Sequence, residues 1–166
     1  MCGRFTQYRT VVEYLHALRY EKPIDSGVDP EPIGRHNVAP RSRVLVMYET
    51  EAGLRMARLP WGFQPFWATG KRPPVINARV ETVATSKFFR SLWPDGRTLV
   101  AADGWYEWVK DETDPTKKQP YYIRRKDGEP LWFAALAQMV CIPVMLTPHS
   151  TDYDPPALEV LSHPFQ

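Results

Sequence analysis

The residue best suited to covalent chemistry stands at position two, where Cys2 follows Met1. Loss of Met1 leaves a free α-amine and a thiol on neighbouring carbons of one residue. The amine titrates near about 8 and the thiol near about 8.5, so both are partly deprotonated around neutrality. Together they condense with an aldehyde to an imine and close it to a five-membered thiazolidine, which no internal cysteine can do. An initial Met-Cys is a weak signal alone. The only other cysteine, Cys141, gives neither a disulfide framework nor a zinc spacing, and a reducing compartment is the simpler reading. His16, His36, His149 and His163 lack metal-ligand spacing and read as surface or loop histidines. There is no Gly-rich phosphate loop and no Gly-x-Ser-x-Gly elbow.

Elements able to position such chemistry can be read from the pattern. Thr10-Val-Val-Glu13 is a capping box, and Val11, Tyr14, Leu15 and Leu18 recur at helical spacing, predicting a short amphipathic helix over 11–19. Residues 22–43 read as irregular. Val44–Tyr48 and Leu54–Leu59 predict two strands around a turn at Gly53, and 60–76 read as an aromatic-rich loop. Thr85 or Ser86 is a candidate cap for a helix through Phe88, Phe89 and Leu92 to Trp93. Short strands follow at Thr98–Ala102, Trp105–Lys110, Pro120–Arg125 and Leu131–Ala137, with Asp127-Gly128 as a hairpin turn and Lys117–Gln119 as a solvated tip. Met139–Gln166 shows little periodicity. The expectation is a β-rich α+β fold, a single domain over 1–166, with antiparallel strands in a barrel-like core and a few short helices.

The composition restricts the partners. A chain of 166 residues with 43% hydrophobic and 24% charged residues is long enough to bury a core, and its 17 prolines are dispersed, as in rigid loops. The net charge of +2 confines any nucleic-acid site to a local patch. Neither a secretory signal nor a run of roughly 20 apolar residues is present, so the reading is a cytoplasmic protein with no membrane partner.

Five blocks then carry a resemblance. Met1-Cys-Gly-Arg-Phe5, Arg35-His-Asn-Val-Ala-Pro40, Trp61-Gly-Phe63, Ile76-Asn-Ala-Arg-Val-Glu-Thr82 and Ala102-Asp-Gly-Trp-Tyr-Glu-Trp108 occur in that order. Over Met1 to about Ala137 the sequence resembles the SOS-response-associated peptidase (SRAP) family, the abasic-site processing proteins. The resemblance implies that Cys2 forms a thiazolidine link with the ring-opened sugar of an abasic site in single-stranded DNA. It also implies that Asn77 helps orient the reacting end, and that Glu107 is the acidic catalytic residue. For DNA binding it points to Arg4, Asn37, Pro40, Trp67, Arg79 and Lys87. No cofactor or metal is implied; the expected state is a monomer, nucleoid-associated when bound to DNA.

The residue types suit that chemistry. Opening the sugar and dehydrating a carbinolamine both need a proton donor and acceptor, which a partly desolvated carboxyl supplies. Strand alternation puts Glu107 on the face of Trp105 and Val109, where burial would raise its pKa. Arginine and lysine suit phosphates, and Trp67, beside Phe66, offers a face for a base. Taken singly, Asn77 reads equally as a turn residue, Glu107 as a solvated strand glutamate and Trp67 as core. The family carries a further catalytic histidine, but Met139–Pro143 falls in its place without one. Either the chain is degenerate there or residues are missing after about 138, the second being favoured by the close match of the first 137 residues, and the histidine role is assigned to nothing here. Two other readings use the same residues: a self-processing thiol peptidase with Cys2 as nucleophile, and a noncovalent single-strand-binding module.

Overall fold

The computed structural model describes residues 3–25, 27, 29–114, 116–138, 142–147 and 158–161, the last two segments by backbone alone. Helix α1 (Val11–Leu18) forms where the capping box predicts it. The Thr10 hydroxyl accepts from the Glu13 amide at 3.1 Å, and the Glu13 carboxylate accepts from the Thr10 amide at 2.8 Å. Val11 and Tyr14 are its buried face. The predicted pair around Gly53 is the hairpin of β3 (Arg43–Thr50) and β4 (Gly53–Pro60), in register from Arg43 opposite Pro60 to Thr50 opposite Gly53.

Eleven strands are described, in two sheets. The first has the order β11-β8-β7-β1-β2: Leu158–Leu161, Lys118–Arg125, Gly104–Lys110, Arg4–Gln7 and Arg35–Val38. The second runs β4-β3-β6-β9-β10-β5, adding Arg97–Ala102, Leu131–Gln138, Ile142–Thr147 and Asn77–Arg79. All pairings are antiparallel except the parallel contact of β10 with β5. The β-rich α+β fold is as expected, but the barrel is not: neither sheet closes among the described strands. The nearest approach to closure lies between the ends of the second sheet. There Phe63 and Val75 exchange backbone hydrogen bonds at 2.8 Å, and the Trp61 indole donates to the Ile76 carbonyl at 2.9 Å.

The core between the sheets draws Phe5 and Val38 from the first sheet, and Val44, Val46, Val100, Ala102 and Ala135 from the second. Trp61, 1% exposed, fills the space beneath Phe5, with the rings edge to face at 5.3 Å. A buried polar stitch joins the sheets. Strands β3 and β6 pair only at Met47–Leu99, and the next register pair, Leu45 and Ala101, is bridged by Gln7 from β1. The Gln7 amide nitrogen donates to both carbonyls, and its oxygen accepts from the Leu45 amide at 3.0 Å. A fully buried glutamine thereby replaces a rung of backbone ladder.

Three expectations are corrected. The segment from Ser86 to Trp93 is a series of turns, with some amides bonding three residues back, as Phe89 to Ser86 and Leu92 to Phe89, and others four back, as Arg90 to Ser86. Its apolar spacing reflects burial of Phe88, Phe89 and Leu92, and Pro94 ends the ladder for lack of an N–H. The short helix α2 lies earlier, at Val80–Val83. Asp127-Gly128 does turn the chain, with Gly128 at φ 75°, but the flanking β8 and β9 enter different sheets and do not pair. Buried Pro130 intervenes and cannot donate to a ladder. Strands β1, β2 and β5, which carry Arg4, Asn37, Asn77 and Arg79, lie where irregular chain or nothing was expected.

Candidate functional site

Strand β1 is held between β2 and β7, with Arg4 opposite Tyr106, Phe5 opposite Trp105 and Thr6 opposite Gly104. The pairing ends at Arg4 and Tyr106, and Gly3 and Glu107 are the next residues along the two chains. Cys2 lies outside the described residues, yet it is one peptide bond from Gly3, and successive Cα atoms are about 3.8 Å apart. Trp105 packs on the inter-sheet core and meets Phe133 edge to face at 6.2 Å, so alternation turns Glu107 to the same side. Glu107 is half-buried there, at the end of the apolar stretch rather than deep within it.

The remaining candidates are reached from two directions. Phe5 points into the core, and Arg4 therefore projects from the opposite face. There its guanidinium donates to the Asn37 side-chain oxygen on β2 at 3.2 Å. Pro40 follows in the turn after β2, half-buried. Asn77 opens β5 rather than a turn, is half-buried, and has its side-chain oxygen buried. Its neighbour Ile76 packs against the cluster that holds Phe5, while Trp105 packs on that same cluster. The Trp61 indole thus ties the backbone beside Asn77 to the ring beneath Phe5.

Trp67 and Lys87 form a second group. The ammonium of Lys87 sits 5.6 Å above the Trp67 ring, and Trp67 meets Phe88 edge to face at 5.7 Å. Trp67 is 39% exposed and Phe66 89% exposed, so both keep apolar surface open to solvent. Arg72 stacks over Phe88 at 4.9 Å, and Arg79, exposed, ends β5 at the start of α2. This group rests on a different cluster, with Phe63, Val83 and Leu136, from the one beneath Arg4.

Sequence reasoning missed the polar residues that brace β1. Asp103, 4% exposed, takes the Tyr8 amide at 2.8 Å, the Arg9 guanidinium at 2.7 Å and the Tyr14 hydroxyl at 2.6 Å. Burial, reinforced by the Asp103 carboxylate, raises the Tyr14 pKa far above the ordinary phenol value. On the outer face, the Thr6 and Tyr122 hydroxyls are 2.8 Å apart, and burial pushes Tyr122 up to about 12. Tyr122 also covers Gly104, where a Cβ would lie 2.5 Å from the ring. Asp103 and Gly104 stand inside the Ala102–Trp108 block, the one signal that could have singled them out. His36 is exposed and stacked on Tyr8 at 5.0 Å. No group of three His, Cys, Asp or Glu suited to a metal occurs among the described residues, nor any helix long and apolar enough to cross a membrane. Cys141, His149 and His163 lie outside the described residues.

A model of the family described as SOS response associated peptidase (SRAP) matches residues 1–150. The chain belongs to that family. The match extends beyond the last of the five sequence blocks, into β10. The chain is 49% identical over 136 residues to the abasic site processing protein YedK of Escherichia coli strain K12, covering 82% of this chain and 59% of that protein. It is 31% identical over 138 residues to the abasic site processing protein YoqW of Bacillus subtilis strain 168, with the same coverage. The chain thus spans about three-fifths of the length of these curated SRAP relatives. Among solved structures it is similar to a phage-related protein of Bordetella bronchiseptica, with a TM-score of 0.65 and 34% identity over 89% of this chain and 69% of that one.

Proposed function

We propose that this protein captures abasic sites in single-stranded DNA by covalent attachment to Cys2, exposed as the N-terminal residue by removal of Met1. The observation that carries the reading is the register of β1 on β7. The strand that follows Cys2 in sequence pairs with β7 as far as Arg4 opposite Tyr106, next to the half-buried carboxylate of Glu107. The names of the relatives, abasic site processing proteins, agree with it.

The chemistry needs no redox partner. The Cys2 amine adds to the aldehyde of the ring-opened sugar to give a carbinolamine, which loses water to become an imine. The thiolate then attacks the imine carbon and the nitrogen takes up a proton, closing the thiazolidine with the loss of one water overall. Glu107 is assigned the proton transfers of ring opening and dehydration. Asn77, with donor and acceptor but no charge, is assigned to orienting the reacting end. Arg4, Arg79 and Lys87 would engage phosphates, Asn37 and Pro40 would line the strand's path, and Trp67 would stack on a base. The protein acts on this reading as a cytoplasmic monomer that joins the nucleoid when bound. A peptidase that removes its own leading residue would use the same Cys2.

Intact-mass measurement on the protein mixed with an abasic single-stranded oligonucleotide tests the reading. The expected species is the sum of the two masses less one water, on protein lacking Met1, and it survives heat and detergent. Cys2→Ala gives none while remaining folded. A protein with an uncleavable extension before Cys2 also gives none, because its amine has become an amide. A stable adduct from that blocked protein would require an internal nucleophile and would overturn the thiazolidine mechanism. Cleavage of a peptide panel without any DNA adduct would favour the peptidase.

A further inference from the structure

Arg9, Lys22, Arg55, Lys117 and Arg125 are each held by a carboxylate. Arg35, Arg41, Arg43 and Arg58 are among the cations with no described carboxylate within ion-pair distance, and they are set apart by crowding at one end of the β3–β4 hairpin and the turn that leads into it. The crowding is built from hydrogen bonds to main chain rather than from counter-charge. The Arg35 guanidinium donates to the Arg43 carbonyl, and the Arg43 guanidinium donates to the Arg58 carbonyl at 2.9 Å. Each such contact uses one of five guanidinium N–H groups and leaves the charge whole. Arg41, Arg43 and Arg58 are exposed, and Arg35 is half-buried.

Arg41 adds an independent observation. Its φ of 69° lies in the left-handed region, where only one other described non-glycine residue is found, Arg19 at the end of α1. A long side chain kept in a conformation that glycine would adopt without strain points to a use for the side chain. The turn is firmly anchored: the Arg41 amide donates to the Trp61 carbonyl at 2.8 Å, and the Trp61 amide donates to the Ser42 carbonyl at 2.9 Å. Trp61 in turn holds the carbonyl of Ile76, beside Asn77. At its near end the strip continues from Asn37 and Pro40. At its far end Asp29 lines the same hollow as Arg58 and bounds the run of positive charge.

We infer that Arg41, Arg43 and Arg58, with Arg35 spacing them, form a phosphate-binding strip that takes the backbone of the DNA strand flanking the captured site. Planar guanidinium groups bind phosphate oxygens in pairs, and a row of exposed ones favours a polyanion that neutralises several of them at once. The strip reads no bases and sets how much strand beyond the reacting sugar is held. This inference rests on the proposed DNA-capture function. It is tested with DNA that carries no aldehyde, so the capture chemistry plays no part in the result.

The probes are fluorescent oligothymidines of about 6 and about 20 nucleotides, bound to the whole chain across roughly 50–200 mM salt. Each phosphate neutralised on a single strand contributes about 0.7 to the slope of log K against log salt. The double variant Arg43→Gln/Arg58→Gln is expected to flatten that slope by about 1.4 on the long probe and to bind it roughly tenfold or more weakly. On the short probe its effect should be slight. Arg41→Gly removes one charge while relieving the backbone, so it remains folded and should flatten the long-probe slope by about 0.7. Arg43→Lys/Arg58→Lys should recover most of the slope. The inference is overturned if Arg41→Gly and the double variant bind the long probe with the parent's slope. It is also overturned if both probes weaken equally, which would put these residues in the central site, or if only dextran sulfate binding changes. A duplex of the same length separates the sources of phosphate; preference for the duplex would reassign the strand.

Discussion

Asp103 and Glu107 come from one sequence block, four residues apart, and the fold treats the two carboxylates in opposite ways. Asp103 sits where β6 passes into β7, beneath α1, almost excluded from solvent, and accepts from an amide, a guanidinium and a phenol. Glu107 sits where the apolar face of β7 gives out, half-buried, across from the start of β1. The first carboxylate has its lone pairs committed to protein donors, and that commitment locks Tyr8, Arg9 and Tyr14 in place. The second stays half-buried at the edge of that core. A buried acid surrounded by donors stabilises a fold, whereas an acid at the edge of the core can exchange protons with a ligand.

That contrast can be broken by removing each carboxylate in turn. Glu107→Gln should slow adduct formation by roughly 10²- to 10⁴-fold with little change in thermal midpoint, the size of a general acid–base contribution. A rate reduced less than about threefold in a folded variant would make Glu107 structural and end the contrast. Asp103→Ala should instead cost about 3 kcal/mol of stability, since it strands a partly buried Arg9 and the Tyr8 amide. Urea unfolding measures this, and a loss below about 1 kcal/mol would mean that solvent replaces the network readily.

Two smaller effects sharpen the picture on the Asp103 side. Gln7→Leu leaves two carbonyls and one amide without their partner and should cost about 2 kcal/mol, seen as faster exchange of the Leu45 amide. The smallest effect is in the pH dependence. The Tyr122 pKa rises from 10.0 to about 12 on folding, so above the lower value the unfolded chain has lost a proton that the folded chain retains. The stabilisation is whole below pH 10.0 and is lost as pH climbs through about 12. Tyr122→Phe should make the thermal midpoint less steep in that window, and an identical alkaline profile would exclude the hydroxyl as its source.

Both the fold and the site were legible wherever a signal is local. The capping box of Thr10 and Glu13 joins residues three positions apart, the β3–β4 hairpin zips outward from Thr50 opposite Gly53, and both formed as read. The family blocks singled out Arg4, Asn37, Asn77 and Glu107 without any knowledge of their strands. The helix expected after Ser86 failed because apolar spacing there records burial against Phe63, not helical periodicity. The hairpin expected at Asp127-Gly128 failed because turn residues specify a reversal but not the sheet that receives the next strand.

By itself, then, the sequence determined the placement of a cysteine at position two, the local elements and the family to which the chain belongs, since each is encoded in neighbouring residues or in ordered blocks. Only the tertiary structure decided which polar groups brace the strands in the core and which stay half-buried at its edge. Arg4 meets Asn37 across 33 positions, Asp103 meets Arg9 across 94, and Gln7 replaces a rung between strands 38 and 94 residues away. Those contacts depend on how two sheets stack around Phe5 and Trp61, and hydrogen-bonding capacity read along a chain does not reveal where the partner will be.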